Sequence, residues 1–380
     1  MIYLDNSATT FPKPRSVMKS AEQAYFKYGA NSGRSAYDMA VATSEQLYNC
    51  RKKLASFFSA PSAENVIFTY NCTASLNMAI KGIARKGGHF IISDLEHNAV
   101  LRPLEKLKKD GFCDYSIAKV ESEDKLTVQN FRNSIRKNTV AIICTGASNV
   151  FGIAPPIKEL SVLAHKYNLL LIVDCAQTAG VMTVDMKNDG IDILCCAGHK
   201  GLYGPSGTGL MVLGDDVKLN TIIEGGTGSN SASGNQPDTL PDKFESGTPN
   251  ISGILGLSAG IDFLNKVGTE NIYEHELSTV RYIQNKLSEN PSIVLYTDLN
   301  NSKIKFSPII SFNISGKHSE ETASLLSENG IAVRAGMHCA PLAHIKMHTE
   351  DTGTVRVSPS YFTRKSEIDF FINSVNKIAK

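Results

Sequence analysis

Seven short apolar runs with strand character follow one another between residues 66 and 213, and they constrain the fold more than any other feature. They are VIFT, HFIISD, DYSIAK, VAIICT, LLLIVD, DILCCA and GLMVLG. Segments with helical patterns, such as residues 73–86 and 157–168, separate most of these runs. Strands that alternate with helices predict a largely parallel sheet that is covered by helices on both faces.

Residues that could bind a ligand lie where these predicted strands end. Ligands of parallel sheets collect at the carboxyl ends of the strands. Five stretches of the sequence, residues 69–73, 94–97, 145–149, 174–177 and 197–200, occupy such positions and contain polar side chains. We therefore expect them to lie close together along one edge of the sheet.

The sequence after residue 225 differs in character from the part that contains these strands. Residues 225–250 are rich in Gly, Ser, Asn and Pro, which predicts a long loop. A helical segment follows at 251–268, and helices and strands then mix without regular alternation. We predict a large domain over residues 15–255 and a smaller α+β domain built from residues 1–14 and 256–380.

Composition argues against several classes of protein. The net charge of the 380 residues is +2, which gives no strong attraction to nucleic acid or to an anionic membrane. No apolar run approaches the ~20 residues of a membrane-spanning helix, and the N-terminal residues lack the pattern of a secretory signal. The eight cysteines include no C-x-x-C pair, and we interpret all but Cys339 as buried core residues. We expect a cytoplasmic protein without a nucleic-acid or membrane partner.

Asp174 and Lys200 are the two residues whose combination first indicates a chemistry. Alone, Asp174 is typical of a turn or cap, and Lys200 is typical of a solvated charge. Together they match the needs of pyridoxal phosphate, which are a lysine that attaches it and an acid beside its ring nitrogen. The turn into a helix at Thr73 offers backbone N–H groups for the phosphate. A nucleotide-binding P-loop is disfavoured, because G-x-x-x-x-G-K-[ST] is absent.

Eight short motifs occur in an order that resembles one family. They are YLDNSATT, LEHNAV, SNVFG, VDCAQ, GHKGLYGPSGTG, SGTPN, RAGMHCA and VRVSP, and they span essentially the whole chain. Their order resembles class V aminotransferase-fold enzymes and is most similar to group II of the cysteine desulfurase and selenocysteine lyase family. The resemblance implies the α/β, pyridoxal-phosphate-dependent transferase fold of type I, with a mostly parallel seven-stranded sheet in the large domain. It also implies a homodimer with its active site near the interface, and a sulfur-acceptor protein as partner.

The resemblance assigns four residues to the ring of pyridoxal 5'-phosphate. Lys200 would attach the cofactor covalently and would later move the proton at the α-carbon of the substrate. Asp174 would pair with the pyridine nitrogen, and Gln177 would hydrogen-bond the ring hydroxyl. His97 would stack on the face of the ring and assist proton transfer.

Five further residues would, by the same resemblance, hold the phosphate and the substrate. Thr73 and His199 would bind the phosphate, and Thr248 would reach it from the partner subunit. Arg356 would bind the substrate carboxylate, for which the paired donors of a guanidinium are well suited. Asn149 would lie near the same carboxylate and near the cofactor ring.

Some positions differ from the family pattern, and others could have either of two roles. Arg334 is a further candidate for substrate binding, and Tyr203 could belong either to the site or to the core. Many relatives have a phosphate-binding serine where this chain has Ala197, which removes one donor. The segment HKGLYG is one residue longer than the commoner HKLYG, which alters the loop just beyond Lys200.

Cys339, in RAGMHCAPLAH, is the residue that would complete this chemistry. A thiolate there could attack the sulfur of bound L-cysteine and take it as a persulfide, which leaves alanine. Arg334 or a protonated His338 would favour the thiolate. Two alternatives stay open, which are a zinc site formed with His338, His344 and His348 and a buried filler residue.

Three functions follow from this pattern. The first is a cysteine desulfurase, which passes sulfur from L-cysteine through Cys339 to an acceptor. The second is a selenocysteine lyase, which would use nearly the same residues but depend less on Cys339, because a selenol is the more acidic group. The third is a non-catalytic sulfur-relay protein that keeps the fold, and the presence of both Lys200 and Asp174 argues against it.

Overall fold

A computed structural model gives the architecture of the chain and describes residues 1–32 and 37–380. In these ranges the strands are β1 (Ile2–Tyr3), β2 (Val66–Thr69), β3 (Gly88–Ser93), β4 (Cys113–Ala118), β5 (Thr139–Thr145), β6 (Ile153–Ala154), β7 (Leu170–Asp174), β8 (Ile193–Ala197), β9 (Gly209–Leu213), β10 (Ile293–Leu295), β11 (Lys305–Phe306), β12 (Ile310–Ile314), β13 (Ile331–Ala332) and β14 (Val355–Val357). The helices are α1 (Arg15–Lys27), α2 (Asp38–Phe58), α3 (Cys72–Ile83), α4 (Asn98–Lys109), α5 (Asp124–Asn133), α6 (Ile157–Lys166), α7 (Met186–Asp189), α8 (Ile251–Val267), α9 (Thr269–Leu287), α10 (Ser319–Glu328), α11 (Pro341–Lys346) and α12 (Lys365–Ile378).

The seven predicted runs form one sheet, with the strand order β2-β9-β8-β7-β5-β3-β4. The five strands from β8 to β4 pair in parallel, whereas β9 runs antiparallel to both of its neighbours. Each strand begins and ends within one residue of its apolar run in the sequence. The predicted fold, an α/β arrangement around a mostly parallel seven-stranded sheet, is confirmed.

Both faces of this sheet are buried, which explains why its strands are apolar without interruption. Successive side chains of a strand point to opposite faces. Along β5, Ile142 and Cys144 accordingly lie in one hydrophobic cluster, and Ala141 and Ile143 lie in the cluster on the other face. The carboxyl ends of the parallel strands thereby meet at one edge between two layers of helices.

A third hydrophobic cluster joins the two ends of the chain. It contains Phe312 from β12, Phe371 from α12, and Leu4, which follows β1. The strand β1 pairs in parallel with β13, with Ile2 opposite Ile331. The assignment of residues 1–14 together with 256–380 to one domain stays a prediction.

The segment between β9 and α8 is the long loop that its composition predicts, since it contains neither helix nor strand. The helix α8 begins at the first residue of the predicted helical segment and packs along α1. Within the described ranges, none of the helices combines the length and the apolar character that crossing a membrane requires.

The extra residue of HKGLYG is accommodated by a close approach of two backbone segments. A side-chain carbon added at Gly201 would lie 2.4 Å from the carbonyl oxygen of Ala179, and one added at Gly180 would lie 2.2 Å from that of Gly201. Gly180 also has a φ of +80°, which side chains of L-residues disfavour. Both positions therefore require glycine, and their contact holds the loop after Lys200 against the segment that follows Asp174.

We expect Gly180→Ala to lower the free energy of unfolding by about 2–4 kcal/mol, because the added methyl group meets the Gly201 carbonyl and the backbone is strained. Urea unfolding measures this change. The control is Gly234→Ala, since nothing lies within 4 Å of a carbon added there; it should change stability by less than about 0.5 kcal/mol. Equal stabilities of the two variants would contradict the close approach.

Candidate active site

Seven of the predicted cofactor residues line one cavity at the carboxyl edge of the sheet. Thr73 lies in the first turn of α3, His97 follows β3, Asn149 follows β5, Asp174 ends β7, and Lys200 follows β8. The lining residues are Asn71, Cys72, Thr73, His97, Ala99, Thr145, Asn149, Asp174, Ala176, Gln177, Ala197, His199 and Lys200. The parallel pairing of the strands thus brings together polar residues that are far apart in the sequence.

Asp174 is held by two donors on the same carboxylate oxygen. Its Oδ1 accepts from the backbone N–H of Ala176 at 2.9 Å and from the thiol of Cys72 at 3.3 Å. Among the described residues, Oδ2 accepts no hydrogen bond. The side chain is only 4% exposed and faces the cavity, so Oδ2 is available to a donor bound there.

The N-terminal segment holds the backbone next to Lys200. The carbonyl of His199 accepts from the Thr9 hydroxyl at 3.0 Å, from the Thr10 N–H at 3.2 Å and from the Lys13 ammonium at 2.5 Å. The Thr10 hydroxyl also donates to the carbonyl of Lys200 at 3.1 Å. These three residues lie in or just after the motif YLDNSATT, which was the only sequence signal for them.

Burial lowers the pKa of both basic residues in this loop. For Lys200 burial outweighs the opposing charge of Asp174, so its pKa lies below the usual value. Burial, with the charges of Lys200 and Lys13, lowers the pKa of His199 to about 4. A lowered lysine pKa increases the fraction of neutral amine, which is the form that attacks a carbonyl carbon or accepts a proton.

His97 and Thr73 lie at the N-termini of two helices that point at the cavity edge. The Nδ1 atom of His97 accepts from the backbone N–H of Ala99 at 3.0 Å, so the neutral ring has its proton on Nε2. Burial lowers the pKa of His97, which favours this neutral form. At α3 the Asn71 side chain caps the N–H of Ala74 at 2.9 Å. Backbone N–H groups in the first turn of a helix suit a phosphate.

Gln177 is fixed through its side chain and through its backbone. Its Nε2 donates to the carbonyl of Ser7 at 3.1 Å, and its own carbonyl accepts from the Ser307 hydroxyl at 3.2 Å. Ser7 belongs to YLDNSATT, so the same N-terminal segment borders a second wall of the cavity. The side chain of Gln177 is thereby held in place beside Asp174.

Arg356 and Asn149 connect the cavity to the C-terminal part of the chain. Arg356 is 1% exposed; its Nη1 donates to the Asn149 carbonyl at 2.9 Å, and its Nη2 pairs with Asp5 Oδ1 at 2.6 Å. The backbone N–H of Arg356 donates to the carbonyl of Arg334 at 2.8 Å, which places the two arginines side by side. The Nε atom of Arg356 and the Oδ1 atom of Asn149 are buried without a partner among the described residues. Such unpaired buried groups are costly unless a ligand completes them.

Cys339 differs from the other seven cysteines, which are all buried, because its side chain is exposed. It lies in the loop between β13 and α11, where His338 and Cys339 have φ values of +47° and +57°. The carbonyl of Cys339 accepts from the N–H of Asn98 at 2.7 Å, next to His97, and the Asn149 side chain donates to the carbonyl of His338 at 2.7 Å. The loop is therefore fastened to the rim of the cavity, and the interpretation of Cys339 as a buried filler is wrong.

Of the two cationic neighbours that could favour a thiolate at Cys339, Arg334 and a protonated His338, the structure disfavours the second. This residue is 3% exposed, and burial, aided by the charge of Arg356, lowers its pKa to about 2. Its Nε2 donates to the carbonyl of Thr354 at 2.9 Å, and its ring stacks on that of His344 with centroids 5.9 Å apart. Over residues 1–32 and 37–380, no group of three or more His, Cys, Asp and Glu side chains is placed to hold a metal ion.

Thr248 and Tyr203 lie outside the lining of this cavity. Thr248 is exposed, and its hydroxyl accepts from the Asn31 side chain at 3.5 Å. Its contact with a phosphate in the partner subunit stays a prediction. Tyr203 is buried with its ring edge-on to those of Phe263 and Phe362, which makes it a core residue.

The residues of the cavity fit pyridoxal phosphate. Asp174 presents a free carboxylate oxygen, Lys200 presents an amine with a lowered pKa, and His199 has a buried Nδ1 without a partner in the described residues. Thr73 and the start of α3 add donors suited to a phosphate. Ala197 lines the cavity with a methyl group, so the hydroxyl that many relatives have there is missing.

Glu96 is a buried acid beside the site; it lies in the stretch 94–97 expected at the edge of the sheet, but the motifs assigned no role to it. Its Oε1 accepts from the Ser93 hydroxyl and from the N–H of Thr145 at 2.8 Å, and thus joins the ends of β3 and β5. Its Oε2 is buried without a partner in the described residues. Burial, with a smaller contribution from the charge of Asp174, raises the pKa of Glu96 to about 8. The acid therefore keeps its proton at neutral pH, one residue before His97.

Comparison with known proteins identifies the family. A family model described as aminotransferase class-V matches residues 2–371. The chain belongs to the aminotransferase class-V family. A probable cysteine desulfurase of Methanothermobacter thermautotrophicus is 32% identical over 386 residues, and the match covers 100% of this class-V chain and 94% of the relative.

Solved structures agree with this family. An apo cysteine desulfurase from Thermococcus onnurineus NA1 superimposes with a TM-score of 0.92 at 29% identity, covering 100% of the class-V chain and 94% of that protein. The cysteine desulfurase CsdA from Escherichia coli, in its S-sulfonic acid form, gives a TM-score of 0.87 at 26% identity, covering 99% and 94%. The similarity thus extends over both the sheet and the C-terminal part of the chain.

Glu96 should make the stability of this class-V protein depend on pH. The folded protein keeps this proton up to about pH 8, whereas the unfolded chain releases it near 4.5. The contribution of Glu96 is therefore fully present below pH 4.5 and is lost as the pH rises toward 8, by up to roughly 5 kcal/mol. Glu96→Gln cannot ionise, so we expect the variant to gain stability relative to wild type as the pH rises.

Urea unfolding between about pH 5 and pH 8.5 measures this difference. The control is Glu328→Gln at an exposed position of α10, which should follow the wild type at every pH. If the difference between Glu96→Gln and wild type stayed constant across this range, the buried proton on Glu96 would be disproved.

Proposed function

We propose that this chain is a pyridoxal-phosphate-dependent cysteine desulfurase that converts L-cysteine to L-alanine and takes the sulfur on Cys339 as a persulfide. One observation supports this most strongly. The exposed cysteine lies on a loop that is hydrogen-bonded to Asn98 and Asn149, at the rim of the cavity that contains Lys200. Relatives and structures with the name cysteine desulfurase, matched over the whole chain, support the same function.

The cavity residues would hold the cofactor from several sides. When bound, pyridoxal phosphate supplies an electron sink for the electron pair that is released as bonds of the substrate break. Asp174 would accept a hydrogen bond from the ring nitrogen through its free Oδ2, and Gln177 would bond the ring hydroxyl. His97 would lie against the face of the ring. Lys200, with its lowered pKa, would attach the cofactor and then move the proton at the α-carbon of the substrate.

Anionic groups would bind at two ends of the site. Thr73, His199 and the start of α3 would hold the phosphate. Arg356 would bind the substrate carboxylate with donors that remain free, such as Nε, since Nη1 and Nη2 each use one donor on Asn149 and Asp5. Arg334, which forms an isolated backbone bridge with Arg356, would add a second guanidinium. Asn149 would lie beside the same carboxylate.

Sulfur transfer would take place at the exposed thiol. The thiolate of Cys339 attacks the sulfur of the substrate, an S–S bond forms, and the Cβ–S bond of the substrate breaks with its electron pair left on the carbon. Protonation of that carbon gives L-alanine, so L-cysteine and the Cys339 thiol become L-alanine and the Cys339 persulfide without an external oxidant. The exposed position leaves the outer sulfur accessible to an acceptor protein.

We also propose that the chain forms a homodimer. The helix α1 exposes the large apolar side chains of Met18, Tyr25 and Phe26. Exposed apolar groups that lie together are typical of a subunit interface. Thr248 contacts Asn31, which lies just beyond this helix, so Thr248 is well placed to enter the site of a partner. A cytoplasmic location stays a prediction.

We expect Cys339→Ala to abolish alanine formation from L-cysteine, with at least about a 100-fold loss, because no other exposed cysteine is available to take the sulfur. Alanine and sulfide are measured with wild type, Cys339→Ala and the control Cys113→Ala, which removes a buried thiol of β4. Alanine formation by Cys339→Ala at the wild-type rate would disprove the role of this thiol. Substantial activity of the same variant on L-selenocysteine would favour the selenocysteine lyase.

We expect Lys200 to be the attachment site of the cofactor. After reduction with borohydride, mass spectrometry should find pyridoxal phosphate bonded to the peptide that contains Lys200 in wild type. It should find none in Lys200→Ala, which lacks the amine. Lys218→Ala, at an exposed position, is the control and should be labelled like wild type. Labelling of a different lysine, or a wild type that binds no cofactor, would overturn the proposed function.

A further inference from the structure

Cys72 is a cysteine of the cavity wall, although the sequence gives it the character of a core residue. It is the first residue of α3, it is 8% exposed, and it lines the cavity together with Asp174 and Lys200. Its thiol donates to Asp174 Oδ1 at 3.3 Å. Of the seven buried cysteines, it alone has a thiol hydrogen bond to this carboxylate.

We infer that Cys72 is a positioning residue that orients the carboxylate of Asp174 toward the ring nitrogen of the cofactor. This inference rests on the proposed function, because it needs pyridoxal phosphate in the cavity. It extends that function by proposing that Cys72 affects the affinity of the protein for the cofactor.

The hydrogen bonds of Asp174 show how the orientation arises. Cys72 and the backbone N–H of Ala176 both donate to Oδ1, and none of the described residues donates to Oδ2. A carboxylate held through one oxygen by donors from two different segments cannot rotate freely about its terminal bond. The other oxygen is then fixed in direction, as a partner for a ring N–H requires.

The position of Cys72 is itself fixed by close packing at the start of α3. A side-chain carbon added at Gly209 would lie 2.6 Å from the carbonyl carbon of Asn71, so β9 presses directly on the residue before Cys72. The Asn71 side chain caps the helix at Ala74. The thiol therefore extends from a rigid helix start and not from a mobile loop.

The protonation of the thiol agrees with a donor role. Burial, and then the charge of Asp174, raises the pKa of Cys72 well above its usual value, so the thiol keeps its hydrogen. A thiol is a weak donor compared with a hydroxyl. It can direct the carboxylate while drawing little charge from it, which leaves the free oxygen a good acceptor.

The test is the binding of pyridoxal phosphate to the apo protein. Titrations followed by absorbance give Kd for wild type, Cys72→Val, Cys72→Ser and Cys144→Val. Cys72→Val removes the donor and keeps an apolar side chain that is larger by about one methyl group, and Cys72→Ser keeps a donor. Cys144→Val makes the same replacement at a fully buried thiol of β5 that has no bond to Asp174.

We expect Cys72→Val to raise Kd by about 3- to 10-fold, as the loss of one hydrogen bond predicts. Cys72→Ser and Cys144→Val should both stay within about twofold of wild type, so that a donor at position 72, and not packing alone, explains the effect.

Two results would overturn the inference while the proposed function stands. One is a Cys72→Val variant whose Kd equals that of wild type. The other is a Cys72→Ser variant that binds pyridoxal phosphate as weakly as Cys72→Val does. If Cys72→Val does not fold, Cys72→Ala replaces it in this comparison. A wild type that binds no pyridoxal phosphate would instead overturn the proposed function, and the inference with it.

Discussion

Three donors from the first thirteen residues converge on the carbonyl of His199, and the position of Lys200 depends on them. The same segment also contacts the C-terminal part, since Asp5 pairs with Arg356 and the N–H of Ser7 donates to the Ser358 hydroxyl. One short stretch of chain therefore fixes the lysine of the cofactor loop relative to the arginine expected to bind the substrate. Lys200 and Arg356 are far apart in the sequence and do not lie on paired strands. Their separation in the site therefore depends on this indirect connection through the N-terminal segment.

The sheet and the main site residues could be predicted because they depend on local patterns. Apolar runs determine where strands form, and the ends of parallel strands determine that Asp174 and Lys200 meet at one edge. The roles of Cys72 and Glu96 could not be predicted in this way, since a buried cysteine or an acid after a strand has many ordinary uses. The neutral state of His338 could not be predicted either, because it depends on burial by segments that are distant in sequence. Side-chain partners of this kind become visible only when the tertiary contacts are known.

The ion pair between Asp5 and Arg356 is a long-range contact that the motifs did not predict. Asp5 belongs to YLDNSATT, which helped to indicate the family but did not show a contact 351 residues away. An isolated backbone bridge between Asp5 and Ser358, just beyond β1, brings Asp5 and Arg356 together, and β1 itself is only two residues long. Two-residue strands lie below the length at which periodicity can be recognised, so their pairing cannot be predicted from sequence pattern alone.

Several basic groups of the site are buried, and burial disfavours their charged forms. Burial is the largest cause of the lowered pKa at Lys13, His199, Lys200 and Arg356, so each of these groups is less stable in its charged form here than in water. The nearby acids, such as Asp174, offset only a part of this cost. A ligand with a phosphate near His199 and a carboxylate near Arg356 would restore the interactions that these groups lost with water. The electrostatics of these residues thus favour a substrate and cofactor that are anionic at opposite ends, as an amino acid joined to pyridoxal phosphate is.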